Sequence, residues 1–164
     1  MEDSALSIWI AAAALAAQVG TASSAEEAAE TAARTCVAPE DATRSIDSFS
    51  LAERQALIAC SQQVVASLLS ERLPIHLDES TTLVAVTAMG TELTYEYRVS
   101  KGAAAFDGGF DARMARSVCA HPGRVIAISQ GGAYRHIWKD GSGRVLHRLT
   151  VDRCGDAAGP MPTT

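Results

Sequence analysis

The sequence predicts an α+β fold: a sheet of about five mainly antiparallel strands packed by a long helix and a short helix, in the order α-α-β-β-α-β-β-β. Three observations predict it. The spacing of apolar residues changes from a period near 3.6 to a period of 2 after Pro74, glycine turn signals recur at short intervals thereafter, and branched and aromatic residues concentrate after about Phe49. A chain of 164 residues is long enough to bury one core without a second domain or a metal. The 48% of hydrophobic residues is ordinary, but in the first third much of it is alanine. The folded unit is therefore placed at 49–154, with an alanine-rich helix and linker at 26–48 before it and a flexible tail at 155–164 after it.

At the N-terminus, Ala5 to Ala17 form an apolar run with Leu6, Ile8, Trp9, Ile10 and Leu15, followed by small residues around Gly20, Ala22 and Ala25. That order reads as a signal peptide over 1–25, too short for a spanning helix, which needs about 20 apolar residues. The opening Met1-Glu2-Asp3-Ser4 carries no lysine or arginine, so an uncleaved membrane anchor is the alternative. Ser23 to Cys36 reads as a helix with Ser24 and Glu27 in capping-box spacing. Its alanines favour helix by propensity and have little to bury, which predicts a mobile arm held only by Cys36. Val37 to Ser48 is a polar connector.

The next helix opens with a second capping box, Ser50 and Glu53, and carries Leu57, Ile58, Val64, Val65, Leu68 and Leu69 at helical period until Pro74 stops it. Leu83 to Thr87 and Leu93 to Val99 then form a hairpin about Gly90, with Leu93, Tyr95, Tyr97 and Val99 facing the long helix and Thr94, Glu96 and Arg98 facing away. Phe110, Met114, Ala115, Val118 and Cys119 make the stripe of a short helix opposite Arg113 and Arg116, ending at His121-Pro122-Gly123. Three strands complete the sheet: Val125 to Ser129, Ala133 to Lys139 and Arg144 to Asp152.

Net charge is −5, and −3 without Glu2 and Asp3 of the leader, so nothing in the balance points to nucleic acid. Arg113, Arg116, Arg124, Arg135, Arg144, Arg148 and Arg153 make the C-terminal half locally basic, which reads as a solvated face. Cys36, Cys60, Cys119 and Cys154 show neither C-x-x-C nor zinc-ligand spacing. An even count in an exported chain suggests two disulfides. Three connectivities are open, and Cys36 with Cys60 and Cys119 with Cys154 is preferred because each pair closes one contiguous half.

If the last hairpin turns through Asp140 to Gly143, Lys139 pairs with Arg144 and His136 stands opposite His147, with Trp138 beside Val145 and Tyr134 beside Leu149. Two imidazoles on one face are a candidate metal pair, but no third ligand is evident and packing is the expected role. Ser129, His136 and Asp140 supply the residue types of a hydrolytic triad without a nucleophile elbow. Gly108-Gly109 and Gly131-Gly132 read as turns, and His76 and His121 as solvent-facing. No catalytic, cofactor or metal residue is assigned.

From Ser50 to Cys154 the layout resembles the α/β class of type II secretion pilotins. The resemblance is carried by Leu73-Pro74 before a strand pair ending Tyr95-Glu96-Tyr97, then Val118-Cys119, Gly132-Ala133-Tyr134 and Asp140-Gly141-Ser142-Gly143 with the closing Cys154. It implies a periplasmic helper that binds the tail of a secretin subunit and assists its delivery to the outer membrane, with a family disulfide at Cys119 and Cys154. Pilotins of that class are lipoproteins; here Cys36 follows Ala33-Arg34-Thr35, well beyond the apolar run, so piloting by a lipid anchor is not expected.

The function expected is therefore a non-enzymatic periplasmic or secreted binding or assembly factor. It would capture a protein partner of secretion or envelope assembly in a groove beside the long helix or along a strand edge, with no cofactor, no nucleic acid and no stable membrane insertion of the mature domain. Two alternatives are a small metal-dependent hydrolase using His136 and His147, and a disulfide-stabilised secreted inhibitory domain.

Overall fold

The computed structural model describes residues 31–32, 34–100, 102 and 106–155. The leader, the first turns of the alanine-rich helix with Ser24 and Glu27, and the tail beyond Gly155 lie outside the described residues. Residues 31–32 and 34–36 are helical, and short 3₁₀ turns follow at Pro39–Asp41 and Ile46–Ser48. The arm is not held by Cys36 alone: Ala32 is 0% exposed within the main core. A small side chain lets the backbone come close, so alanine here packs as well as favouring helix.

Helix α1 spans Leu51–Ser70, and the Ser50–Glu53 capping box forms: the Glu53 amide donates to Ser50 Oγ at 3.3 Å and the Ser50 amide to Glu53 Oε2 at 2.6 Å. Two of the amide donors at the helix start are thereby satisfied. Ser50→Ala is expected to cost about 1 kcal/mol in urea unfolding, and an unchanged midpoint would show the cap to be idle. The buried stripe is Ile58, Gln62, Val65, Ala66 and Leu69, spaced at i, i+4, i+7, i+8 and i+11. Gln62 was absent from the apolar pattern because it is polar; it sits there as a hydrogen-bond partner of the Tyr134 phenol.

Five strands form one sheet in sequential order: β1 Ile75–His76, β2 Thr81–Met89, β3 Glu92–Val99, β4 Ala133–Lys139 and β5 Val145–Val151. All neighbours are antiparallel except β3 and β4, which are parallel. A parallel pair cannot be closed by a hairpin and requires a crossover, which two helices supply: α2 at Phe110–Cys119 and α3 at Pro122–Ser129. This corrects the expected strand at Val125 to Ser129. Pro122-Gly123 starts a helix as well as ending one, because proline at the first helical position loses no hydrogen bond. Arg124, Ala127 and Ile128 are then buried at i, i+3 and i+4, so tertiary packing overrides the β preference of valine and isoleucine. The fifth strand is supplied instead by Ile75–His76, opposite Leu83 and Thr82.

Gly131-Gly132 is the C-terminal cap of α3. Gly132 N donates to Ala127 O at 2.8 Å and Gly131 N to Ile128 O at 3.0 Å, with Gly131 at φ +91°, the Schellman pattern. A Cβ on Gly132 would lie 2.8 Å from that same carbonyl oxygen. The core lies between the helices and one face of the sheet, where Leu83, Val86, Leu93, Tyr95, Tyr97, Val99, Tyr134, Trp138 and Val151 are buried with Val65, Ala66 and Leu69 of α1.

Candidate functional site

The four cysteines form two bridges, Cys36–Cys60 and Cys119–Cys154, each with Cα atoms 5.7 Å apart. The first ties the N-terminal segment to α1, and the second ties the end of α2 to the chain leaving β5. None of the four is free.

The final hairpin differs from the expected register. Asp140 N donates to Arg144 O at 2.9 Å, Gly143 takes φ +85°, and the Asp140 carboxylate accepts from the Ser142 and Arg144 amides at 2.9 and 3.0 Å. Lys139 consequently pairs with Val145 rather than Arg144. The turn with its left-handed Gly143 moves the Lys139 partner by one position, and a bulge between Trp138 and Lys139, which passes over Leu146, adds a second, so the rest of the strands slip by two. His136 therefore stands opposite Leu149, and His147 opposite Trp138; Tyr134 pairs with Val151 rather than Leu149. A slip of two keeps every side chain on its face and changes only its partner.

The two histidines consequently have separate surroundings. His147 Nε2 lies 2.6 Å from Asp111 Oδ1 and stacks on Phe106 at 4.9 Å between ring centroids. His136 is buried, hydrogen bonded through Nδ1 to Tyr97 Oη at 2.9 Å and stacked on Tyr95 at 5.2 Å. Burial, reinforced by the Arg124 guanidinium, lowers its pKa to about 3. It is a neutral core residue at physiological pH.

Protonation of the unfolded chain begins near the ordinary histidine value of 6.5, while the folded state resists it. Stability from this group is thus complete above pH 6.5 and declines as pH falls toward 3, by about 1 kcal/mol per pH unit. In His136→Gln, which retains an acceptor for Tyr97, the loss between pH 7 and pH 5 measured by urea unfolding should shrink by about 1–2 kcal/mol relative to wild type. Equal losses would mean that His136 does not control this window.

Ser129, His136 and Asp140 are not brought together as a triad. Ser129 Oγ donates to the Ile126 carbonyl, His136 is held by Tyr97, and Asp140 is occupied by its own turn. His76 Nδ1 is 3.0 Å from Thr82 Oγ1. His121 precedes α3, with its pKa lowered by burial and by Arg124.

The opposite face of the sheet is solvent-facing. Its rows follow from the register: Thr82, Arg98 and Lys139; Ala85, Glu96, Ile137 and Arg148; Thr87, Thr94, Arg135 and Thr150; then Glu92 beside Ala133. Glu96 pairs diagonally with Lys139 at 2.5 Å, and Glu92 with Arg135 at 2.9 Å. Arg98 and Arg148 are exposed and form no ion pair among the described residues. At the Arg98 end the sheet opens into a cleft of about 620 Å³, lined by His76, Glu79, Arg98, Asp140, Arg144 and Leu146. This face is the candidate binding surface. The strand alternation put Glu96 and Arg98 outward, but which charges neutralise one another depends on the parallel β3–β4 pairing, which no local pattern encodes.

The basic residues of the C-terminal half have separate fates. Arg113, Arg135, Arg144 and Arg153 are ion-paired to Asp107, Glu92, Asp140 and Asp152, and Arg124 is buried, with its guanidinium carbon 5.7 Å above the Tyr134 ring. Among the described residues no group of three or more histidine, cysteine or acidic side chains is placed to hold a metal, and no helix is long and apolar enough to cross a membrane.

No family model matches the sequence, and no curated protein matches it. Solved structures do. The pilotin EpsS of the Vibrio vulnificus type 2 secretion system aligns with a TM-score of 0.53 over 67% of this chain and 99% of that one, at 12% identity. A Pseudomonas aeruginosa protein assigned as secreted aligns with a TM-score of 0.52 over 59% and 90%, at 15% identity. The type II secretion pilotin AspS of Vibrio cholerae aligns with a TM-score of 0.48 over 63% and 95%, at 19% identity. The chain thus resembles the pilotin EpsS in fold, over nearly the whole of that protein.

Proposed function

We propose that this protein is an exported, non-enzymatic factor that captures a protein partner in secretion or envelope assembly. The observation that carries the reading is a sheet whose described helices pack on one face, its other face charged and left open by the described residues, in a fold shared with the pilotin EpsS. Such a face beside an open cleft offers area for a macromolecule. Two disulfides support export, because such bonds persist outside the reducing cytosol.

The test is reversible cross-linking of the tagged full chain in cells, followed by purification from the periplasmic fraction. One secretion or envelope component should be recovered reproducibly, and recovered again when bait and prey are exchanged. Recovery of nothing above an unrelated disulfide-bonded control, or a cytoplasmic chain with its cysteines reduced, would refute the reading.

A further inference from the structure

We infer that the sheet face left open by the described residues is the docking surface and that its occupant is an acidic, amphipathic helical segment of the partner. This rests on the proposed function and adds the place and chemistry of capture. The charges on the face supply the argument. Both glutamates are already neutralised, Glu96 by Lys139 and Glu92 by Arg135, while Arg98 and Arg148 have no carboxylate partner among the described residues. In a chain of net charge −5, the unspent charge of this face is positive.

The register places the two arginines. Arg98 is opposite Lys139, and Arg148 is opposite Ile137, two residues earlier on β4. They are thus separated by two strand spacings and two residues along the strands, about 12 Å between Cα atoms. Two turns of helix, seven or eight residues, advance about 11–12 Å. Carboxylates at i and i+7 or i+8 therefore match the arginines, with an apolar side chain between them over the half-buried Ile137. A sheet face is completed by a helix layer, whereas an added strand would bind at an edge. Threonines and small alanines elsewhere on the face, Ala85, Thr87, Thr94, Ala133 and Thr150, allow close approach. The alternating charges and the lack of an aromatic belt on these rows favour a protein over a lipid surface.

The test uses the isotope-labelled full chain and two synthetic helical peptides. One carries glutamates seven residues apart with leucines between them on the same face; its twin carries glutamines. Amide shifts should cluster at Arg98, Ile137 and Arg148, with affinity falling as salt is raised. Arg98→Glu with Arg148→Glu should weaken binding about tenfold or more, and the glutamine twin should be similarly weak. Both arginines are exposed, and an unchanged unfolding midpoint verifies that the variant folds. Shifts elsewhere, equal binding of the twin, or equal binding by the variant overturn the assignment. Binding of phosphatidylglycerol vesicles through the same arginines in preference to peptide, or self-association through this face on concentration, also overturns it. A cross-linked partner retained by the charge-reversed bait removes the surface and leaves the proposed function standing. Peptide binding at the face with no partner captured by either bait does the reverse.

Discussion

Replacing Cys119 and Cys154 together by serine is expected to lower the unfolding free energy by about 4 kcal/mol, through the chain entropy regained when a 35-residue loop is opened. The bridge joins the last residue of α2 to the segment just after β5. Without it, the crossover helix is held to the sheet by the Phe106–Phe110–Trp138–His147 ring cluster, the His147–Asp111 contact and the burial of Val118 in the core. The Cys36–Cys60 bridge closes 24 residues, so its removal should cost slightly less, about 3 kcal/mol. Urea unfolding of oxidised wild type and the two double-serine variants decides the matter. A loss below about 1 kcal/mol for the first would show that the ring cluster and the buried Val118 suffice to hold α2.

Leu93→Ala should cost about 3–5 kcal/mol. Leu93 is 0% exposed, on the middle strand, opposite Ala88 of β2 and Tyr134 of β4. Its neighbours are held by ladders on both sides, so they can relax little into the space left behind. Met89, 78% exposed at the hairpin tip, is the control: Met89→Ala should change stability by no more than about 0.5 kcal/mol. Comparable losses at the two positions would mean that the core is not centred on β3.

Where a local pattern and the tertiary contacts agreed, the fold was legible. The Ser50–Glu53 box and the apolar repeat located α1, and alternation from Leu93 to Val99 put Tyr95 and Tyr97 in the core. Gly90, at φ +57°, marked the β2–β3 turn. Where one signal had two readings, context decided. Pro122 both ends α2 and begins α3, and Val125 to Ile128 suits a strand by composition but is helical because Arg124, Ala127 and Ile128 then share one buried face. The two residues of β1 are too few to show periodicity. The candidate surface was half legible: Arg98 and Arg148 were identifiable as outward or basic, but their lack of partners was not.

The sequence by itself determined the class of fold, the alternation that assigns Leu93 to Val99 to core or solvent, and the stops and caps around α1, since these depend on backbone preference and on burial within a few residues. Only the tertiary structure decided the parallel β3–β4 pairing, the two-residue slip between His136 and His147, and which arginines remain without a carboxylate. Those outcomes depend on residues tens of positions apart being placed side by side, where a shift of one pair changes every partner while leaving the local pattern unaltered.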